Sequence, residues 1–265
     1  MDDSKQGLTP LLAVSGVTLQ YKTQHHLVTA TYRVSFGVAL ADRFVVLGPS
    51  GCGKSTILKA VGGYMAPTEG SIKLKGQSIR KPGPDRVMVF QEFDQLLPWK
   101  TVKKNVMFAL ESSGKLSGKA AEEKAMESIA KVNLSKFAGS YPHTLSGGMK
   151  QRVAIARALA MEADILLMDE PFAALDALTR HRMQDELLQL WEDTRFTMLF
   201  VTHSIPEAVR IGNRILLLSP HPGQVMAELN SSGADEPDPA TGRKLSERIH
   251  AMLFADEIEP TGAVP

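Results

Sequence analysis

Gly48-Pro49-Ser50-Gly51-Cys52-Gly53-Lys54-Ser55 decides the reading of this chain, because the residues before and after it differ in kind. Phe44-Val45-Val46-Leu47, before it, is an unbroken apolar run of the sort found in strands covered on both faces. Ser55-Thr56-Ile57-Leu58-Lys59-Ala60-Val61, after it, has helical spacing. Strand, glycine-rich loop and helix therefore come in that order. Glycines at 48, 51 and 53 let the backbone curl until successive N–H groups point inward, and a helix starting near Lys54 adds the positive end of its dipole. The result is a cradle for an anion.

The same eight residues match the Walker A pattern G-x-x-x-x-G-K-[ST] in full, in the strand-loop-helix context that the pattern requires. That match expects Gly48, Pro49, Ser50, Gly51, Cys52, Gly53, Lys54, Ser55 and Thr56 around the phosphates of a nucleotide. Lys54 is expected to bridge the β- and γ-phosphates, and Ser55 to ligate Mg²⁺. The bland alternative is a glycine turn with no ligand, which the complete pattern disfavours.

Outward from the loop, 265 residues with 43% hydrophobic composition suffice for one large domain with a substantial core, or a core plus an insertion. Leu12-Ala13-Val14, Val17-Thr18-Leu19 and Val34-Ser35-Phe36 read as short strands upstream. Val87 to Phe90, Ile165 to Met168, Met198 to Val201 and Ile215 to Leu218 are unbroken apolar runs, which predicts a mostly parallel α/β sheet. Between Glu92 and Ala160 the β signal gives way to helical stretches, Lys119 to Asn133 and Met149 to Ala160 among them. Asn230 to Arg243 reads as a loop or linker, and Leu245 to Phe254 as a short amphipathic helix.

With 30 basic and 29 acidic residues the formal net charge is +1, so no global field points to nucleic acid. A single cysteine, Cys52, excludes an internal disulfide and fits a reducing compartment. The start Met1-Asp2-Asp3-Ser4-Lys5 lacks the pattern of a signal peptide, so export is not expected. The apolar runs fall short of the roughly 20 residues that cross a bilayer, and any membrane role needs another chain. His25, His26 and His221 lack companion ligands at metal spacing and read as surface histidines.

A second site ends the run Ile165-Leu166-Leu167-Met168 with Asp169 and Glu170, at the strand edge where open α/β sheets bind ligands. Asp169 resembles the Walker B aspartate that holds Mg²⁺, and Glu170 is placed to polarise an attacking water. Alone, the pair reads equally well as a solvated strand end.

Leu145-Ser146-Gly147-Gly148-Met149-Lys150-Gln151-Arg152 resembles the signature of ABC transporter ATPases, placed just before the helix Met149 to Ala160. The resemblance covers roughly Leu11 to Gln224 and implies a P-loop NTPase core with an antiparallel β segment and an inserted helical subdomain. It divides the chain into an ATPase domain, 1–228, and a C-terminal linker and short helix, 229–265. The core would be 1–91 with 161–228, and the helical subdomain 92–160.

Family roles then follow position by position. Ser146, Gly147, Gly148 and Met149 would close on the γ-phosphate held by a second copy. Gln91, ending the strand Arg86 to Phe90, matches the Q-loop glutamine that touches Mg²⁺ and water. His203 matches the switch histidine beside Glu170, Asp176 the D-loop aspartate at the dimer interface, and Tyr21 the aromatic that stacks on adenine. Lys54, Glu170 and His203 are the expected catalytic groups, and Ser55, Gln91 and Asp169 the expected metal ligands.

Leu97-Pro98-Trp99, Met149, Pro171 to Arg180 and Leu218 to Gly223 resemble the nitrate, sulfonate and taurine branch of bacterial importers. That branch implies a homodimer on the cytoplasmic face of the inner membrane, two permease subunits docked near Gln91 to Trp99, and a solute-binding protein acting indirectly. A buried tryptophan of the helical region is the alternative for Trp99, and a soluble ABC-type ATPase without a transporter is the alternative for the whole chain. Ala41-Asp42-Arg43 stands where the family has a Gly-Glu turn, so that hairpin is expected to differ.

Overall fold

The computed structural model describes residues 10–22, 26–91, 95–231 and 239–254. Among these, β1 (Leu12–Lys22) pairs antiparallel with β2 (Leu27–Val38) on one side and β4 (Glu69–Leu74) on the other, and β5 (Gln77–Ser78) extends that sheet. The runs Leu12 to Val14 and Val17 to Leu19, expected as separate strands, belong to the one strand β1, whose register shifts between Val14 and Leu19 absorb the break at Ser15-Gly16, and Val34 to Phe36 lies in β2.

The second sheet has the order β10-β9-β3-β8-β7-β6. Its strands β6 (Arg86–Val89), β7 (Ile165–Asp169), β8 (Met198–Thr202), β3 (Arg43–Leu47) and β9 (Arg214–Leu218) run parallel, and β10 (Val225–Asn230) closes one edge antiparallel. Alternation along these strands splits the core in two. Val45, Leu47, Leu166, Met168, Met198 and Phe200 face a cluster shared with the helices downstream. Phe44, Val46, Ile165, Leu167, Leu199 and Val201 face a cluster shared with the antiparallel sheet and α1 (Lys54–Val61). Apolar residues on both faces are why these runs are unbroken in the sequence.

α2 (Val102–Ser112), α3 (Gly118–Lys131) and α4 (Gly147–Ala160) pack on one another as the inserted helices. α5 (Ala177–Thr194) leads into β8, α6 (Ile205–Ile211) into β9, and α7 (Pro239–Phe254) lies against α6. Thr101, Ser146, Asp176 and Ser204 cap α2, α4, α5 and α6 by accepting hydrogen bonds from amides of the first turn.

Several boundaries differ from the sequence expectation. α4 starts at Gly147 rather than Met149, because the Ser146 hydroxyl caps it and admits both glycines into the first turn. β6 ends at Val89, so Phe90 and Gln91 already belong to the loop. Towards the C-terminal end β10 runs to Asn230, opposite Arg214, and α7 begins at Pro239 rather than near Leu245, since proline suits a first helical turn; residues 232–238 lie outside the described residues. Where the family has Gly-Glu, Ala41 adopts a φ of 60°, held as its amide donates to the Thr197 hydroxyl at 2.9 Å and Asp42 caps the turn through the Ala39 amide at 2.8 Å. His25, Glu92 to Asp94 and the N-terminal start Met1 to Lys5 lie outside the described residues.

Candidate active site

The glycine loop between β3 and α1 is shaped by two left-handed glycines, Gly51 at φ 82° and Gly53 at φ 94°. A side chain at Gly53 is excluded on space as well, since a Cβ there would meet the Thr31 methyl at 2.6 Å and the Ala30 carbonyl at 2.7 Å. The loop Ser219 to Gly223 props it from beneath: Gly223 donates to the Ala30 carbonyl at 3.0 Å, and Tyr32 donates to the Gly223 carbonyl at 2.9 Å. A Cβ on Gly223 would come within 2.1 Å of the Cys52 carbonyl, so the close approach needs glycine. This is the structural use of a segment that the sequence marked only by likeness.

Lys54 is 4% exposed, and its ammonium donates to the carbonyls of Gly48 and Pro49 at 2.9 Å each. Two of its three protons are thus spent on the loop itself, which fixes the Nζ inside the cradle. Cys52 is fully buried, and burial pushes its thiol pKa up, which leaves it a neutral packing group in the loop.

Ser55, on the first turn of α1, donates through Oγ to Asp169 Oδ1 at the end of β7, 2.8 Å away. Burial raises the Asp169 carboxyl pKa, the Ser55 hydrogen bond opposes the rise, and the neighbouring Glu170 charge adds to it. A hydroxyl and a carboxylate facing each other at the mouth of a phosphate cradle are the hard oxygen donors that Mg²⁺ takes, and a divalent cation there would oppose the effect of burial on Asp169. The donor set therefore fits that metal.

Glu170 has a φ of 44°, uncommon for a residue with a side chain, and its amide donates to the Val201 carbonyl of β8 at 3.0 Å. Pro171 follows and disfavours the right-handed helical region for Glu170. In this pose the Glu170 carboxylate Oε2 lies 2.8 Å from His203 Nδ1, which follows β8. The structure thus joins Ser55 to Asp169 and Glu170 to His203, although the members of the pairs are 114 and 33 residues apart.

Ser146 is exposed, and its hydroxyl oxygen accepts from the Met149 amide at 3.3 Å. Gly148 is buried against α5, where an added Cβ would stand 3.2 Å from the Thr179 methyl. The signature and the first turn of α5 are therefore in contact. Asp176 caps that turn, accepting from the amides of Leu178 at 3.1 Å and Thr179 at 3.0 Å.

Tyr21 is 44% exposed near the end of β1, and Trp99 is 70% exposed, which removes the reading of Trp99 as a core residue. Gln91 is exposed, and among the described residues it makes no hydrogen bond to Ser55 or Asp169. Three groups near the site were not anticipated. The Gln95 amide nitrogen reaches the Phe90 carbonyl at 3.0 Å and Gln151 Oε1 at 3.3 Å, tying the loop after β6 to α4. Arg180 and Glu207 face a pocket of about 40 Å³ that also touches Glu170 and His203. Ser204-x-x-Glu207 is legible as a capping box directly after His203. Nothing local shows that the Glu207 side chain turns instead to Thr202 and Gln184.

Comparisons with known proteins agree with this architecture. Residues 32–173 match the family model described as ABC transporter. The chain is 48% identical over 203 residues to the taurine import ATP-binding protein of Rhizobium johnstonii, covering 77% of each chain. It is 42% identical over 229 residues to the bicarbonate transport ATP-binding protein of a Synechocystis species, covering 85% of this chain and 80% of that one. A solved dimeric ATP-binding cassette in a post-hydrolysis state, bound to ADP and Pi, superposes with a TM-score of 0.71 at 34% identity, covering 83% of this chain and 98% of that one. With the phosphate loop, the paired Asp169 and Glu170, and the Ser146 cap arranged as described, the chain belongs to the ABC transporter family and is an ATP-binding, ATP-hydrolysing subunit of it.

Proposed function

We propose that two copies of this chain clasp two molecules of Mg-ATP and hydrolyse them to drive a bacterial importer of a small oxyanion such as a sulfonate, taurine, nitrate or bicarbonate. The contacts that carry the reading are the 2.8 Å pairs Ser55–Asp169 and Glu170–His203 beside one phosphate cradle. The names of the relatives, for taurine and for bicarbonate, support a small solute that carries a sulfonate or carboxylate-like oxyanion group.

In this reading the loop amides, the third proton of Lys54 and Thr56 bind the phosphates, and Tyr21 stacks on the adenine. Ser55, Asp169 and Gln91 would hold Mg²⁺, which would supply neutralisation of the phosphate charge. His203 fixes one oxygen of Glu170, so the other accepts the hydrogen bond of the attacking water and takes its proton. Ser146, Gly147, Gly148 and Met149 of the second copy close over the γ-phosphate: the Ser146 oxygen is occupied by the Met149 amide, and its O–H remains to donate.

Among the described residues no helix is long and apolar enough to cross a membrane, which fits a peripheral subunit working with separate permease chains. The exposed Trp99, with Leu97 and Pro98, supports docking of a permease segment along Gln91 to Trp99, on the cytoplasmic face, with a solute-binding protein engaged through the permease. The ATPase core would comprise 1–91 and 161–228, the helical subdomain 92–160, and the C-terminal linker and helix 229–265; no nucleic-acid partner is invoked.

The test is Glu170→Gln in the full chain. ATP binding stays within a few-fold of the parent, hydrolysis falls by at least about 100-fold, and a dimer accumulates with ATP in light scattering. Turnover near that of the parent would overturn the assignment of Glu170 as base.

A further inference from the structure

We infer that α5 is a strut that sets the position of the Glu170–His203 pair, with Arg180, Gln184 and Glu207 as its positioning residues. The inference rests on the hydrolytic site proposed above and concerns side chains outside its phosphate, metal and signature contacts.

One end of the strut holds the segment between Glu170 and Asp176. The Arg180 guanidinium donates through Nε to the Phe172 carbonyl at 3.2 Å, and through Nη2 to the carbonyls of Ala173 at 3.4 Å and Leu175 at 2.9 Å. The planar fork reaches several carbonyls in fixed geometry, which an ammonium cannot reproduce. Ala173 in turn donates to the Glu170 carbonyl at 3.1 Å, so the clamp reaches the residue whose backbone sits at φ 44°. That strained conformation persists only if its surroundings impose it.

The other end holds the residues around His203. One turn further along α5, Gln184, 6% exposed, donates from Nε2 to Glu207 Oε1 at 3.0 Å. Glu207 is 7% exposed, and its other oxygen accepts from the Thr202 hydroxyl. The Thr202 oxygen receives the Ser204 amide at 3.0 Å, and Glu207's own amide donates to the Ser204 hydroxyl at 3.4 Å. The residues on both sides of His203 are thus anchored to α5, and the buried side chains of Gln184, Glu207 and Thr202 are hydrogen-bonded to one another. At its start α5 touches the signature through Thr179 and Gly148. A shift at the Asp176 end is therefore transmitted, through one rigid helix, to both members of the catalytic pair.

The experiment is ATP hydrolysis by the full chain carrying Gln184→Glu, Arg180→Lys, both together, and the swap Gln184→Glu with Glu207→Gln. Gln184→Glu sets two carboxylates face to face. It lowers kcat by about tenfold or more while KM for ATP stays within about twofold, because the phosphate loop is untouched. The swap restores an amide facing a carboxylate and returns kcat to within about threefold of the parent. Arg180→Lys lowers kcat in the same way, and combining it with Gln184→Glu costs less than the product of the single losses, since both cut one strut.

Unchanged kcat in Gln184→Glu, failure of the swap to rescue, or strictly multiplicative losses would each overturn the strut. Should Gln184→Glu not fold, Arg180→Lys and the swap decide by the same readouts. A parent chain without Mg-ATP turnover would count against the site itself, whereas an active parent with an indifferent Gln184→Glu counts only against the strut.

Discussion

Asp176 shows how one side chain serves local structure before it can serve a partner. Its carboxylate accepts the Leu178 and Thr179 amides, and the Thr179 hydroxyl, the Thr179 amide and the Leu178 amide together hold its pKa below the usual carboxylate range. A carboxyl depressed in the folded state contributes stability that is present above its ordinary value of 3.8 and is lost as pH falls through the depressed value. Asp176→Ala therefore lowers the unfolding temperature at pH 7 and loses most of that deficit in strong acid. Asp176→Asn, which still caps, remains near the parent at pH 7. Thermal unfolding of the three chains across pH checks this, and a deficit for Asp176→Ala that widens in acid would contradict it. The sequence marked Asp176 by likeness to a loop that crosses an interface; its capping role was also legible, as an aspartate immediately before a helical stretch.

At the scale of elements, α4 carries the signature because Ser146 caps it. Ser146→Ala removes the acceptor of the Met149 amide and costs about 1 kcal/mol, or about 2–4 °C in unfolding temperature. The same change removes the O–H meant for the γ-phosphate, so ATP-dependent dimerisation should fall far more than stability does. Calorimetry and light scattering on one preparation separate the effects, and dimerisation intact in a chain destabilised as expected would leave Ser146 a cap alone.

The parallel strands were readable because burial on both faces writes itself as unbroken apolar runs, as in Phe44 to Leu47 and Ile165 to Met168. The phosphate loop was readable because its glycines are demanded by φ and by space at Gly53. The ends of elements were not: Ser146 drew Gly147 and Gly148 into α4, and Pro239 opened α7 six residues before Leu245, through capping and packing rather than periodicity. Least legible were Arg180, Gln184 and Glu207. Polar side chains on a helix read as a solvated face unless the element packed against them is known, and Glu207 lies 23 residues from Gln184.

At the scale of the whole molecule, one chain holds Lys54 in a phosphate cradle and Ser146 on an exposed helix start, and the dimeric cassette solved with ADP and Pi shows that a relative of this fold pairs. If each catalytic site joins the cradle of one copy to the signature of the other, the interface is isologous and defects on different chains can complement. Lys54→Met and Ser146→Ala should each abolish steady hydrolysis alone. Mixed in equal amounts and allowed to exchange, half of the dimers contain one of each. Such a dimer has one site built from two intact parts and one built from two damaged parts, so the mixture recovers roughly a quarter of the parent rate. Recovery should depend on total chain concentration, since it requires assembly. A mixture as inactive as its components, under conditions where a tag on one variant co-purifies the other with ATP, would count against a site shared between the cradle of one copy and the signature of the other.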